Sequence, residues 1–481
     1  MEMDRRQFLK GSTTSLIGLS TLGALSRVNV NANTHWPDLF SKANYSRNTL
    51  LRILYPQGCL ANLQPVINQF EQLSGVKTEL IEAGFATISN TMMKTSVLGK
   101  ASDSYDIAIP GTFSIPDLVE AGVLANLNPL VKKFGNPSGE QSLYRQGDDY
   151  LGSLYGMQSS GDTYLLFLRK SWLENTDNQK RYEDTYGYKL AVPRHWQELD
   201  QQMEFFTDPD KGTYGGCMFR SEEYLHWEYW VRLHGQGSYP FDRAMEPLIN
   251  SDAGIAALKQ MKETTPFLHP SVKTSGPYEN FSIFAEGNSY ANLSWGGGQK
   301  FFNSPNSKIK DDLIVTQLPG VNLSGGITIP YFNWGWSYVL AANSQNKELA
   351  FLFMLLATSP EVSAEGIADR NGFFDPFLEQ HFDYEPLESV YGRPYLDALE
   401  TGLANAMPDL YISGYTQYFA ALRSGLFASI YQNVPGKLSL DAVATKWRET
   451  TESYGIDSQI SQWLQLQSKY PEALKAVLKG L

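Results

Sequence analysis

The sequence predicts an α/β fold in which largely parallel strands form a sheet that helices cover on both faces. The main observation is that short apolar runs alternate with segments that carry apolar residues at helical spacing. The composition, 42% hydrophobic and 19% charged, is typical of a globular protein. The length, 481 residues, is enough for two or three domains with sizeable cores.

The alternation is clearest between residues 49 and 81. Residues 49–55 form an apolar run of the length and character of a buried strand. Residues 63–73 have apolar side chains at helical spacing, and Gly75 follows as a typical helix stop. Residues 76–81 then repeat the strand pattern. This order predicts a β-α-β unit with parallel strands.

The same pattern continues with a helical segment at residues 92–98 and a strand at 105–109. Ligands of such sheets bind just beyond the carboxyl ends of the strands. The rule indicates the loops after the first and third strands, and we expect their residues to contact a ligand; they are Gln57, Gly58, Gly111 and Thr112.

The N-terminus resembles a bacterial export signal. Arg5 and Arg6 precede a mildly apolar, uncharged stretch at residues 11–25, which is the layout of a secretory signal. The paired arginines resemble the twin-arginine signal, and small residues before position 33 predict cleavage after Ala32. We interpret residues 1–32 as a twin-arginine signal peptide and expect a periplasmic protein without a lipid anchor. The alternative is an unstructured start with two chance arginines.

Charge and cysteine content exclude several classes. The formal net charge of -12 argues against a nucleic-acid partner, because an acidic surface repels phosphates. Two cysteines are too few for a disulfide framework, and we expect Cys59 and Cys217 to be buried free thiols. The longest apolar run, residues 351–357, is short enough to be a buried core helix.

No recognisable catalytic motif is present. The chain lacks a Gly-x-Ser-x-Gly elbow, a phosphate-binding loop and zinc-site spacing. His226 and His234 are two helical turns apart, too far to chelate one metal as neighbours. Residues 208–212 lack the alternating acidic ligands and the closing Glu of a calcium loop, and we interpret them as a turn. We predict a protein that is not an enzyme and has no cofactor or metal. An exported carbohydrate-active enzyme with two distant carboxylates and a periplasmic ligand sensor remain alternatives.

Five stretches of the chain carry a family resemblance. Residues 192–199, Val192-Pro-Arg-His-Trp-Gln-Glu-Leu199, are similar to the pattern x-Pro-x-Thr-Trp-x-Glu-Leu, with His195 in place of Thr. The other stretches are residues 105–127, 154–164, 284–296 and 338–361, the last ending in Thr358-Ser-Pro-Glu361. Taken in chain order, the five stretches resemble the extracellular solute-binding proteins of family 1, the maltose-binding-like proteins of bacterial ABC importers. A departure is the segment at residues 369–376, where the family often has Gly-x-Pro-x-Arg.

The resemblance implies a type II periplasmic-binding-protein fold with two lobes. Each lobe is a mixed, mostly parallel sheet flanked by helices, and hinge crossovers join the lobes. Residues 48–158 and 333–369 would form the N-lobe, and residues 159–332 and 370–481 the C-lobe. The family role implies a monomer that captures a sugar or sugar-like ligand between the lobes and delivers it to the membrane permease of an ABC importer.

A sugar offers C–H groups on its faces and hydroxyls at its edge, so its site needs aromatic rings and polar side chains. Trp295, followed by Gly296, lies at a predicted strand end, and we expect it to stack on the ligand and to face the cleft. Trp334 and Trp336 lie at a predicted crossover, with a position in the core as the alternative.

Polar candidates lie at the predicted crossovers. Ser160 and Asp162 follow the first one, where the carboxylate could accept bonds from two hydroxyls or form a solvated turn. Arg370 and Asn371 lie in the departing segment; Arg370 could bind ligand oxygens or pair with Asp369 or Asp375. Tyr415 lies where the family often places an aromatic residue.

Overall fold

The structure, a computed structural model, describes residues 35–98, 104–321 and 328–480. The predicted signal peptide at residues 1–32 lies outside the described residues. In chain order the strands are β1 (Leu50–Pro56), β2 (Lys77–Ala83), β3 (Ile107–Ala108), β4 (Asp149–Tyr150), β5 (Ser153–Leu154), β6 (Gly156–Gln158), β7 (Thr163–Arg169), β8 (Tyr214–Gly216), β9 (Ser289–Ser294), β10 (Leu313–Thr316), β11 (Tyr331–Phe332) and β12 (Ser337–Leu340).

The first ten described helices are α1 (Trp36–Lys42), α2 (Leu60–Ser74), α3 (Ile88–Leu98), α4 (Ile115–Glu120), α5 (Asn128–Phe134), α6 (Lys170–Leu173), α7 (Thr176–Tyr186), α8 (Trp196–Phe206), α9 (His226–Gly235) and α10 (Asp252–Thr264). The next ten are α11 (Pro277–Ala285), α12 (Gly296–Phe302), α13 (Lys347–Ala357), α14 (Pro360–Ile367), α15 (Glu385–Tyr391), α16 (Arg393–Ala404), α17 (Tyr415–Tyr431), α18 (Gly436–Tyr454), α19 (Ile456–Ser468) and α20 (Glu472–Lys475).

The first sheet has the strand order β2-β1-β3-β12-β6. Strand β1 pairs in parallel with β2 and β3, whereas β12 pairs antiparallel with β3 and β6. The predicted β-α-β unit is confirmed, and helix α2 ends at Gly75, whose φ of 70° is the left-handed conformation expected of a helix stop. We call this sheet and the helices packed on it the first side.

The second sheet has the order β10-β7-β9-β8, with β11 also paired to β7. Here β7 runs antiparallel to β9, β10 and β11, and the pair β8–β9 is parallel. The described sheets are therefore more antiparallel than the sequence predicts, because an apolar run reveals a buried strand but not its direction. This sheet with its packed helices is the second side.

Within the described ranges, three segments of the chain pass between the two sides. Residues 159–162 lead from β6 to β7, and residues 333–336 lead from β11 to β12. Residues 368–384 lead from α14, which packs on α2, to α15, which packs on α12. The architecture is the predicted α/β fold with helices flanking two sheets, and the exact lobe boundaries stay a prediction.

Helix α13 is the apolar segment that the sequence predicts to be a core helix, and residues 349–357 are buried on every face. Among the described residues no single helix has the length and apolar content of a membrane span. Helices α13 and α14 reach that length and apolar content only when they are taken together, and the chain bends by 67° between them. Cys59 and Cys217 are buried free thiols, as predicted.

Candidate ligand-binding site

Ten aromatic rings meet where the two sides face each other, and we call this cluster the aromatic seam. Phe85 and Phe113 come from the first side, and Trp334, Trp336 and Phe373 come from the crossing segments. The rings from the second side are Tyr224, Trp227, Tyr278, Trp295 and Tyr415.

Trp334 lies at the centre of the aromatic seam. Its ring centroid is 4.8 Å from that of Phe85 on the first side and 4.9 Å from that of Trp227 on the second. It also stacks on Tyr224 at 5.7 Å and 25°. The backbone of Trp334 has a φ of 56°, which costs roughly 1–3 kcal/mol in a residue other than glycine. The fold therefore holds this indole in place against local strain.

Trp295 is more deeply embedded than the sequence predicts. It precedes α12, is 7% exposed, and stacks on Tyr164 of β7 with ring centroids 4.8 Å apart. Its Nε1 donates a hydrogen bond of 2.9 Å to Oδ1 of Asn333. Another ring, Trp227, meets it edge-on at 5.3 Å. Much of the ring therefore supports the second sheet, and contact of its remaining edge with a ligand stays a prediction.

Both predicted loops of the first side reach the aromatic seam. The loop at Gln57 and Gly58 follows β1, and Gly58 has a φ of 102°. A Cβ atom at Gly58 would lie 2.7 Å from Oη of Tyr278 and 3.4 Å from the ring of Phe373. Only glycine fits this close approach without displacement of Tyr278.

The second loop follows β3. Gly111 forms a bridge with Trp336, and the amide of Thr112 donates to the carbonyl of Gly335 at 2.6 Å. Oγ1 of Thr112 lies 3.1 Å from Oη of Tyr411. The loop therefore contacts both the crossing segment and the second side.

A buried polar group lies beside the seam on the first crossing segment. Asp162 is 6% exposed, and its Oδ2 has no hydrogen-bond partner among the described residues. Burial raises the pKa of Asp162 well above its usual range, and the nearby Asp375 raises it further. Its neighbour Asn333 has an Nδ2 that likewise lacks a partner there. An unpaired acceptor and an unpaired donor are each costly in a protein interior, and ligand hydroxyls would satisfy both.

Asp375, which the sequence analysis did not select as a ligand contact, ties the crossing segments to α12. Its amide donates to Oγ of Ser160 at 2.9 Å, and its Oδ2 accepts from the amide of Gly296 at 2.9 Å. Its Oδ1 accepts from Oη of Tyr391 at 3.0 Å. Burial raises the pKa of Asp375 to about 7, against the opposing effect of Lys300. Asp375 thus holds Ser160 through its backbone amide and Gly296 through its carboxylate.

Lys300 on α12 holds the third crossing segment. Its Nζ is buried and donates to the carbonyls of Ile367 at 2.9 Å, Asp369 at 2.9 Å and Gly372 at 2.8 Å. Burial lowers the pKa of this lysine to about 8. Because Phe373 follows directly, the ammonium group fixes the backbone that carries a ring of the seam.

The structure does not bring Arg370 and Asn371 to the aromatic seam. Arg370 is exposed and donates to the carbonyls of Ser389 at 2.9 Å and Asn303 at 3.5 Å. Asn303 follows the last turn of α12, at the end opposite Trp295. Asn371 is exposed, and its amide bonds to Asp369. The hydrogen bonds from Lys300 explain this arrangement, because they fix the backbone on both sides of these two residues.

Tyr415 begins α17 and stacks on Phe113 across the two sides, with centroids 4.8 Å apart and planes at 24°. Its Oη donates to Oδ2 of Asp409 at 3.1 Å. Asp409 is fully buried and also accepts from Oη of Tyr331 at 2.8 Å. Burial raises the pKa of Asp409 to about 6. A fixed tyrosine thus completes this edge of the seam.

A serine and a histidine are in hydrogen-bond contact, which is the spacing of a nucleophile and its general base. Nε2 of His381 lies 2.9 Å from Oγ of Ser363, and both residues are buried. However, Nδ1 of His381 accepts from the amide of Phe377 at 3.1 Å, so the proton of the neutral ring is on Nε2. A histidine in this tautomer cannot take the serine proton.

The described residues contain no group of three or more His, Cys, Asp or Glu that could hold a metal ion. His226 and His234 are buried on α9, and His234 bonds to Trp230 and Tyr470.

A surface depression of about 290 Å³ lies elsewhere, at residues Leu50, Arg52, Asp106 and 343–346. It adjoins the amino ends of β1 and β3, whereas the aromatic seam adjoins their carboxyl ends. Ligands of open α/β sheets bind at carboxyl ends, so we place the candidate site at the seam.

Two α/β sides that meet at an aromatic seam, joined by three chain crossings, define a two-lobed ligand-binding protein. Residues 57–364 match the model of the family described as bacterial extracellular solute-binding protein, and the chain belongs to this family. No curated protein matches the sequence.

Solved structures with the same fold include maltose-bound MalE3 of T. maritima, at 18% identity and a TM-score of 0.69, covering 83% of this chain and 99% of that one. Another is a ribitol complex of an ABC transporter solute-binding protein from Agrobacterium radiobacter K84, at 17% identity and a TM-score of 0.71, covering 84% and 98%. A third is the D-mannitol-bound protein of Agrobacterium vitis S4, at 17% identity and a TM-score of 0.68, covering 84% and 99%.

Proposed function

We propose that this protein binds a neutral sugar or polyol at the aromatic seam and delivers it to the permease of an ABC importer. The observation that carries the proposal is the pairing of a wall of aromatic rings with the unpartnered Oδ2 of buried Asp162. The rings offer flat faces to C–H groups, and Asp162 with Asn333 offers an acceptor and a donor to hydroxyls.

Binding at this place requires the two sides to separate. Ring centroids lie 4.8 Å apart at Phe113–Tyr415, which joins opposite sides, and at Phe85–Trp334, which joins the first side to a crossing segment. Both are direct contacts. A sugar ring between two aromatic faces needs about 3.5–4 Å on each side. The crossing segments would act as hinges, and the ligand would favour closure because contacts to both sides form only there.

The fine details of export and assembly belong to the same proposal. Arg5 and Arg6 support export of a periplasmic protein by the twin-arginine route. Replacement of both by Lys should then leave the precursor in the cytoplasm, and normal periplasmic accumulation of that variant would contradict the route. We propose a monomer whose lobe boundaries are those predicted from the sequence, and a role in binding without turnover of the ligand.

The test is a thermal-shift screen of the purified protein with maltose, maltotetraose, D-mannitol, ribitol, D-tagatose and a set of sugar acids. A ligand at ~100 times its dissociation constant adds ~2.7 kcal/mol to the free energy of unfolding. We expect a stabilising shift with at least one neutral sugar or polyol. A shift with sugar acids alone would contradict the neutral ligand class, and product formation from the bound compound would contradict a role without turnover.

A further inference from the structure

Two short segments from opposite sides meet along the edge of the aromatic seam. The segment at residues 112–117 follows β3 and enters α4 on the first side. The segment at residues 411–416 leads into α17, which packs on α9, α10 and α18 of the second side. Contact between these segments therefore joins the two sides directly.

The segments make three successive contacts. Oγ1 of Thr112 lies 3.1 Å from Oη of Tyr411, and the ring of Phe113 stacks on that of Tyr415 at 4.8 Å. The carboxylate of Asp117 then accepts hydrogen bonds from the start of α17, at 2.6 Å from the amide of Gly414 and 3.2 Å from Oγ1 of Thr416. We call these contacts the clasp.

The start of α17 depends on this carboxylate. The residue before its first turn is Gly414, which has no side chain to accept a hydrogen bond from the free amides of the helix. Asp117 supplies an acceptor from the other side of the molecule, because its Oδ2 lies 3.5 Å from the amide of Thr416 in the first turn. Its negative charge also suits the positive end of the helix dipole. The 17-residue helix thus has its N-terminal partner only while the two sides are in contact.

We propose that Asp117 is a closure-determining residue: its bonds to α17 form when the two sides close and break when they open. This inference rests on the proposed function, since it concerns the closure that retains ligand at the seam. Part of the affinity then comes from a contact between protein groups and not from the ligand. Loss of the clasp should raise the dissociation rate of ligand and favour the open state, with little effect on the association rate.

The first experiment needs no ligand. Spin labels on Gln72→Cys in α2 and Lys259→Cys in α10 report the distance between the two sides, because both positions are exposed and the native Cys59 and Cys217 are fully buried. We expect Asp117→Ala to move the distance distribution towards longer values than in the labelled parent. Asp117→Asn should stay close to the parent, because its amide oxygen still accepts a hydrogen bond.

The second experiment measures dissociation by stopped-flow tryptophan fluorescence with maltose, D-mannitol or ribitol, using the compound with the largest thermal shift. We expect Asp117→Ala to raise the dissociation rate about five- to tenfold. Glu120→Gln is the matched control, because it removes a carboxylate charge one turn away on α4 that bonds to Tyr150 and not to α17. Its distances and rates should equal those of the parent.

The measurements differ if Asp117 only stabilises the start of α17 and has no part in closure. If Asp117→Ala lowers the melting temperature of the ligand-free protein while distances and dissociation rate equal those of the parent, the proposal is wrong. Thr416→Ala removes the hydroxyl that donates to Asp117 and provides a second variant if Asp117→Ala does not fold. It should change both readouts in the same direction. If no compound binds any variant, the proposed function fails, while the distance measurement still decides the clasp.

Discussion

Replacement of Trp295 separates its structural role from its role at the candidate site. Trp295→Ala removes a ring that stacks on Tyr164 at 4.8 Å and contacts Phe219 at 5.5 Å. Truncation of a buried tryptophan costs about 3–5 kcal/mol. It also leaves Oδ1 of Asn333 without its 2.9 Å donor, which adds about 1–3 kcal/mol. We therefore expect a fall in the melting temperature on the order of 10 °C.

Trp295→Phe is the sharper variant, because it keeps an aromatic ring in place and removes the indole N–H. The matched control is Trp463→Phe on α19, a buried tryptophan whose Nε1 likewise donates a 2.9 Å bond, here to the carbonyl of Asp242. Both variants should lose stability by about 1–3 kcal/mol. Only Trp295→Phe should weaken ligand binding, by about tenfold or more.

The assay is isothermal calorimetry with a compound from the screen, together with the melting temperature of each ligand-free protein. Calorimetry reports affinity per folded molecule, so a loss of stability alone leaves it unchanged. Equal affinities for Trp295→Phe and Trp463→Phe would refute the assignment of Trp295 to the ligand site.

Two further predictions concern buried charges. Lys300→Met should lower the melting temperature and weaken ligand binding, because the carbonyls of Ile367, Asp369 and Gly372 lose their donor and the backbone before Phe373 loosens. Ligand affinity equal to that of the parent would contradict this role of Lys300. Asp409→Asn should change the pH dependence of stability. Burial raises the pKa of Asp409 from 3.8 to about 6, so the folded state binds its proton more tightly than the unfolded chain does. The contribution of Asp409 to the free energy of unfolding therefore falls as pH rises from about 4 to about 6. Urea unfolding should show the variant gaining up to about 3 kcal/mol relative to the parent between pH 4 and pH 7, and a constant difference would contradict this reasoning.

Local patterns predicted the parts of the fold that local forces determine. The apolar runs of β1 and β2, the helical spacing in α2 and the glycine after it all have short-range causes, and each is found. The direction of β7 relative to its neighbours has no such signal, because it depends on where the chain crosses between the two sides.

The candidate site likewise contains some residues that the sequence could indicate and others that it could not. The loops after β1 and β3 follow strand ends, and Trp334 and Trp336 lie next to glycine at a crossover, so the sequence could indicate them. Phe85 carries no such signal.

Other rings join the seam through contacts between segments distant in sequence. Trp227, in a helix, and Phe373 meet ring partners far along the chain, which a single sequence does not reveal. Burial of Lys300 is hidden for the same reason, and it explains why Arg370, selected for its charge, lies at the surface.

The proposed function requires a neutral sugar or polyol to bind between the two sides at the aromatic seam. The most direct measurement is a crystal structure of the protein with a compound that stabilises it in the thermal-shift screen. We expect a ligand in contact with Trp334, with a hydroxyl donating to Oδ2 of Asp162. A ligand bound in the depression beside Leu50 and Arg52, with the rings of the seam in mutual contact as they are here, would contradict it.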